Sequence, residues 1–123
     1  MSFLVFEQDP LVRKDICETL EAEFAGQTIV IVETLAGLED MALALSGPTV
    51  AVLAKPSGIA EISLGKINNM SPGIRCVIIG DRPAGDDRTD DGCVYLQRPF
   101  SSGSLIGSVR VAMSDLSVDP ADS

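Results

Sequence analysis

The chain predicts an α/β fold: a five-stranded parallel sheet, doubly wound, with helices on both faces in three layers. Three observations carry that expectation. Five short apolar runs show little alternation with polar residues, as strands buried on both faces require: FLVF at 3–6, TIVIVET at 28–34, TVAVLA at 49–54, RCVIIG at 75–80 and CVYLQ at 93–97. Segments with helical spacing separate most of these runs. The length, 123 residues, suffices for one domain and hardly for two. Right-handed crossovers leave few topologies for such a set. The strand order 2-1-3-4-5 is the expected one, with a ligand crevice where strands 1 and 3 end.

The elements follow in order. After FLVF, Asp9 can cap a helix and Pro10 suits its first position. Val12, Ile16, Leu20 and Phe24 then recur every four residues, with Arg13, Lys14, Glu18 and Glu21 elsewhere, which makes an amphipathic helix ended by Gly26. The second strand is rich in β-branched residues. Leu38, Met41, Ala42 and Leu45 give the second helix its stripe, and Gly47 closes it. After TVAVLA, Ile62, Ile67 and Met70 predict a third helix, weakened by Gly65 and by Asn68–Asn69.

Between strands 4 and 5, residues 81–92 hold five aspartates, two glycines and a proline, with Ala84 as the one good apolar residue. No regular amphipathic helix fits that stretch, so the fourth helix of a full set is expected to be missing or vestigial. A last helix from about Ser102 to Leu116 presents Leu105, Val109, Ala112, Met113 and Leu116 on one side. The expected domain is residues 1–116, and 117–123 reads as a disordered tail.

Composition removes several functions. The formal net charge is −9 and histidine is absent. That charge opposes nucleic-acid phosphates and anionic lipid, and favours a basic protein surface. No apolar run reaches the roughly 18–20 residues that span a bilayer, and the N-terminus lacks the features of a secretion signal, so a cytoplasmic protein is expected. The three cysteines, Cys17, Cys76 and Cys93, show no C-x-x-C spacing. They are expected as free buried thiols, with neither metal nor cofactor implied.

The order and spacing of FLVFEQDP at 3–10, TVAVLAKP at 49–56 and CVYLQRPF at 93–100 resemble a response-regulator receiver domain of the CheY-like family, from about Ser2 to Leu116. The resemblance implies a pocket in which an acidic pair after strand 1 helps to hold Mg²⁺. A strand-3 aspartate accepts a phosphoryl group, a hydroxyl residue ends strand 4, and a lysine followed by a cis-proline ends strand 5. Onto these positions fall Glu7 and Gln8, Ala54, Gly80, Arg98 and Pro99. Ala54 has no oxygen with which to attack phosphorus. Gln8 and Ala54 also remove carboxylates that magnesium wants. Gly80 lacks the hydroxyl. An ion pair between Glu7 and Arg98 is expected to fill the emptied pocket, and the Arg98–Pro99 bond is expected to be cis. Tyr95 falls where the family keeps a mobile aromatic residue; with Gly80 unable to move it, Tyr95 is expected to be a surface contact at best.

The reading that follows is a degenerate receiver, or pseudo-receiver, with no catalytic residues and no metal site. Its expected partner is a signalling kinase or regulator, bound through a face containing Tyr95, Ser104, Ser108 and Arg110. Homodimerisation through the last helix is an alternative use of that face. A second class, a small-molecule or anion binder on a flavodoxin-like fold, would use Lys55 and Arg98 as a positive spot. Against it, EQDP after strand 1 offers no glycine, serine or threonine to cradle phosphate. An enzyme finds little support without histidine, nucleophile elbow or paired carboxylates.

Overall fold

The computed structural model describes residues 1–45, 47–56, 58–81, 88–89 and 92–117. Five strands, β1 (Ser2–Phe6), β2 (Thr28–Val32), β3 (Thr49–Ala54), β4 (Ile74–Gly80) and β5 (Val94–Gln97), form one sheet in the order β2-β1-β3-β4-β5. All four neighbouring pairs are parallel. Around the sheet lie α1 (Pro10–Glu23), α2 (Leu35–Ala44), α3 (Glu61–Gly65) and α4 (Ser102–Ser117). The expected doubly wound topology is the observed one. Among the described residues no helix lies between β4 and β5. Most of the acidic stretch, residues 82–87 and 90–91, lies outside the described residues. So does the expected tail, beyond Ser117.

Alternation along the strands divides the interior into two apolar layers. Phe3, Val5, Val50, Val52, Val77, Ile79, Val94 and Leu96 pack with Ile16 and Leu20 of α1 and with Leu105, Val109 and Ala112 of α4. The intervening residues Leu4, Phe6, Ala51, Leu53, Cys76 and Ile78 pack with Leu38 and Ala42 of α2 and with Leu64 of α3. β3 lies in the middle of the sheet, and all six of its residues are buried.

Local chemistry sets the helix ends. The Asp9 carboxylate accepts from Leu11 N at 2.9 Å and from Val12 N at 3.4 Å, and Pro10 opens α1 as expected. Past the end of α1, Gly26 adopts φ 87°, a left-handed conformation that costs other residues dearly. The second strand stops at Val32, short of the expected residue 34. Thr34 instead caps α2 through its hydroxyl, which accepts from Gly37 N at 3.0 Å. Ser101 caps α4 in the same manner, accepting from Ser104 N at 3.1 Å.

The third helix departs from expectation. It is five residues long and passes into a 3₁₀ turn, Lys66–Asn69. Ile62, expected in the core, is 64 % exposed, whereas Leu64 and Ile67 are buried. Five residues separate Ile62 from Ile67, which turns them to different sides of a helix, while Leu64 and Ile67 are three apart. Asn68, read as a weakness of this helix, is itself buried, and its side-chain oxygen accepts from Cys76 N at 2.9 Å. Cys76 stands one residue before the pairing of β4 with β5 begins at Val77. Its amide therefore takes a side-chain acceptor on the flank that the later start of β5 leaves open.

Two stability changes follow. Gly107 lies exposed inside α4, and an added Cβ would meet nothing within 4 Å. Gly107→Ala should therefore raise stability by about 0.5–1 kcal/mol, seen as a higher thermal midpoint. Asn68→Ala should cost about 1–3 kcal/mol by orphaning the Cys76 amide, seen as a lower urea midpoint with an unchanged slope.

Candidate functional site

The residues singled out from the sequence meet along one edge of the sheet, at the C-terminal ends of the strands. Glu7 follows β1, and Ala54 closes β3 one register step beyond the Phe6–Leu53 pair. Gly80 closes β4 opposite Gln97, and Arg98 follows β5. Backbone bonds continue past the strands: Lys55 N donates to Ile79 O and Arg98 N to Gly80 O, both at 2.8 Å. The Arg98–Pro99 peptide is cis, as expected.

The expected Glu7–Arg98 pair does not form. Arg98 Nη1 reaches Asp81 Oδ2 at 3.2 Å, and its Nη2 donates to the Lys55 carbonyl at 3.1 Å. Asp81 directly follows β4, the strand next to β5, so it lies within easier reach than Glu7 on β1. Glu7 is nearly buried, at 7 % exposure, and its Oε1 accepts from Asp9 N at 2.9 Å. The carboxylate thus folds back on its own loop. Arg13 of α1 braces the same loop, donating to Glu7 O at 3.4 Å and to Glu33 at 3.3 Å.

A groove of about 950 Å³ opens between α1 and the turn from β5 to α4. Its charged walls are Glu7, Asp9, Asp15, Glu18 and Asp81, opposed by Arg98, while Val12, Pro99 and Phe100 supply apolar surface. Anions would meet repulsion here, and basic groups attraction.

The residues do not fit Mg²⁺. Gln8 is an exposed neutral amide, and Ala54 is a methyl group 2 % exposed within the layer under α1 and α4. Glu7 and Asp9 both accept backbone amides. Among the described residues no group of three or more metal-binding side chains comes together. None of the three cysteines forms a disulfide; Cys76 and Cys93 are buried, as expected, whereas Cys17 is half-buried. Cys76 titrates well above the usual thiol range, first through its hydrogen bond with Cys93 and then through burial. Burial, and next Glu21, push the Cys17 thiol up. Raised thiols of this kind are poor nucleophiles.

The four residues expected to share an interaction face are not gathered into one patch. Arg110 pairs with Glu23 and stacks over the Phe24 ring at 5.4 Å, so it is turned toward the end of α1. Ser104 is engaged with Ser101, and Ser108 is half-buried. Tyr95 packs on the opposite side of the sheet, against the layer under α2 and α3. A contact that sequence reasoning missed holds α4 to the segment before β5: Arg88 Nη1 meets Asp115 Oδ2 at 2.6 Å and donates to Gly92 O at 3.1 Å. The Asp115 hydrogen bond holds the Arg88 guanidinium above its ordinary pKa.

Comparison by sequence finds no matching protein-family model and no matching curated protein. Comparison by structure finds CheY-like response-regulator receiver domains. The receiver domain protein of Methanospirillum hungatei JF-1 superposes with a TM-score of 0.69 at 19% identity, over 93% of this chain and 95% of that one. The beryllofluoride-activated NtrC4 receiver domain dimer gives 0.75 at 23% identity, over 94% and 98%. The Francisella response regulator 1452 receiver domain gives 0.71 at 19% identity, over 92% and 96%. At these identities the likeness establishes the fold.

The bridging role of Arg98 has a measurable signature. Asp81 is 78 % exposed, so Asp81→Asn should cost no more than about 1 kcal/mol. Arg98→Ala also strips the Lys55 carbonyl of its donor, and should cost about 1.5 kcal/mol or more. Chemical denaturation of the two variants checks the order.

Proposed function

We propose that this chain is a pseudo-receiver, a protein-interaction module of two-component or related phosphorelay signalling that acts without aspartyl phosphorylation. The observation that carries this reading is Ala54. It ends the central strand beside Glu7 and buries a methyl group where phosphoryl transfer would need an in-line oxygen nucleophile. The nearby carboxylates are employed otherwise: Glu7 and Asp9 hold the turn into α1, and Asp81 holds Arg98.

The partner we propose is a signalling kinase or regulator with a basic docking surface, in keeping with the net charge of −9 and the carboxylate-lined groove. The same charge argues against nucleic acid and anionic membranes as partners, and no helix among the described residues is long and apolar enough to cross a membrane. A role of this kind belongs in the cytoplasm and needs no enzymatic activity. The NtrC4 receiver domain is described as a dimer, and self-association of this chain through α4 is part of the proposal.

The alternative, an anion or small-molecule binder using Lys55 and Arg98, is weakened by the site itself. Arg98 already serves Asp81 and the Lys55 carbonyl, and five carboxylates line the groove. Incubation with acetyl phosphate and Mg²⁺ tests the preferred reading by mass. An unchanged mass is expected; a base-labile phosphoryl gain on one aspartate would overturn it. Thermal shifts with nucleotides and flavins test the alternative.

A further inference from the structure

The pairing of β4 with β5 begins at Val77 and Val94. One step earlier stand Cys76 and Cys93, two of the chain's three cysteines. Side chains alternate along a strand, so this step turns both residues to the other face. The packing agrees: Val77 and Val94 belong to the layer under α1 and α4, Cys76 and Cys93 to the layer under α2 and α3. Both cysteines are buried, and a hydrogen bond joins their thiols. The backbone is held on each side, since Asn68 Oδ1 accepts from Cys76 N at 2.9 Å and Thr89 Oγ1 from Cys93 N at 3.1 Å. Cys93 Sγ itself donates to Gly65 O at 3.9 Å, so it points under α3. Adjacent strands lie about 4.8 Å apart, and disulfides span Cα separations of about 4.4–6.8 Å. A bond between these sulfurs therefore asks for side-chain rotation and leaves the sheet in place. Cys17 packs in the opposite layer, with the sheet between it and the pair.

We propose that Cys76 and Cys93 are a modification site, which a hydroperoxide oxidises to a disulfide joining β4 to the start of β5. The Cys93 thiolate attacks the outer peroxide oxygen, the O–O bond breaks, and the departing alkoxide takes up a proton as an alcohol. Cys93 is left as a sulfenic acid. The Cys76 sulfur gives up its proton and attacks the Cys93 sulfur, and the S–O bond breaks to release water. Two thiols lose two electrons and two protons, and the peroxide gains both. Burial and the high pKa of Cys76 make the reaction slow. It starts when the edge opens: β5 is four residues long, has one neighbour among the described residues, and meets β4 only after Cys93. The cross-link fastens that edge and closes residues 76–93, acidic stretch included, into a covalent loop. The site rests on the β4–β5 register and is independent of the pseudo-receiver reading.

The test treats the full folded chain with hydrogen peroxide, then alkylates the remaining thiols in denaturant and maps tryptic peptides without reduction. Cleavage after Arg75 and Arg88 places Cys76 and Cys93 on different peptides, and Cys17 on a third. The alkylatable thiols should fall from three to one, Cys17, with the Cys76 and Cys93 peptides linked and the chain lighter by two hydrogen atoms. Dithiothreitol should restore all three. Cys17→Ser should form the same link and retain no alkylatable thiol. Cys76→Ala should form none; should that variant fail to fold, the wild type and Cys17→Ser still decide. Three thiols surviving the peroxide, a link through Cys17, or separate sulfinic acids on the pair would each overturn the site. The phosphoryl mass measurement tests the pseudo-receiver reading, so the two failures are separable.

Discussion

Burial of the central strand from both sides is the constraint on which the structure depends. All six residues of β3 are hidden, so each must be small or apolar and each must face one of two packed layers. That requirement fixes which residues of β1 and β4 can lie beside it, because a one-residue slip in register would exchange the layers. It also delivers the ends of β1, β3, β4 and β5 to a common edge. Ala54 belongs to this apolar system as much as to the crevice. An ionised carboxylate in the same place would need compensating partners, and here the surrounding polar groups have other uses.

The crevice is consequently a structural junction. Arg98 ties the end of β5 to the ends of β3 and β4, through a carbonyl and a carboxylate respectively. Glu7 secures the turn that launches α1, and Arg13 secures it from the other side. These bonds favour one arrangement of the strand ends. A binding surface built on such a frame loses little conformational freedom when a partner arrives.

How much of this was legible in the sequence depended on whether the information was local. Strands β1 and β3, the cap at Asp9, and the stripes of α1 and α4 could be read because apolar runs and four-residue spacings are local patterns. The convergence of Glu7, Ala54, Gly80 and Arg98 followed from topology and from the resemblance of three motifs. The partner of Arg98 could not be read this way, since Asp81 competes with Glu7 only once the strands stand side by side. Asn68 looked like a helix defect because its acceptor role is toward a strand eight residues on. Gly80 looked like a lost hydroxyl. That the Tyr95 ring fills the volume a side chain there would need was visible only in three dimensions, although a glycine closing an otherwise apolar strand was itself a signal of close approach.

The outer rim of β2 carries a consequence of its own. Among the described residues this strand has one neighbour, its sequence TIVIV contains neither proline nor lysine, and Ile31 is 48 % exposed. Such a rim offers unpaired amides and carbonyls to any second copy of the chain, a known route to aggregation. Surplus negative charge keeps copies apart at neutral pH, and that protection vanishes near the isoelectric point of about 4.2. Acid near that pH is therefore the condition under which solutions of this protein should cloud.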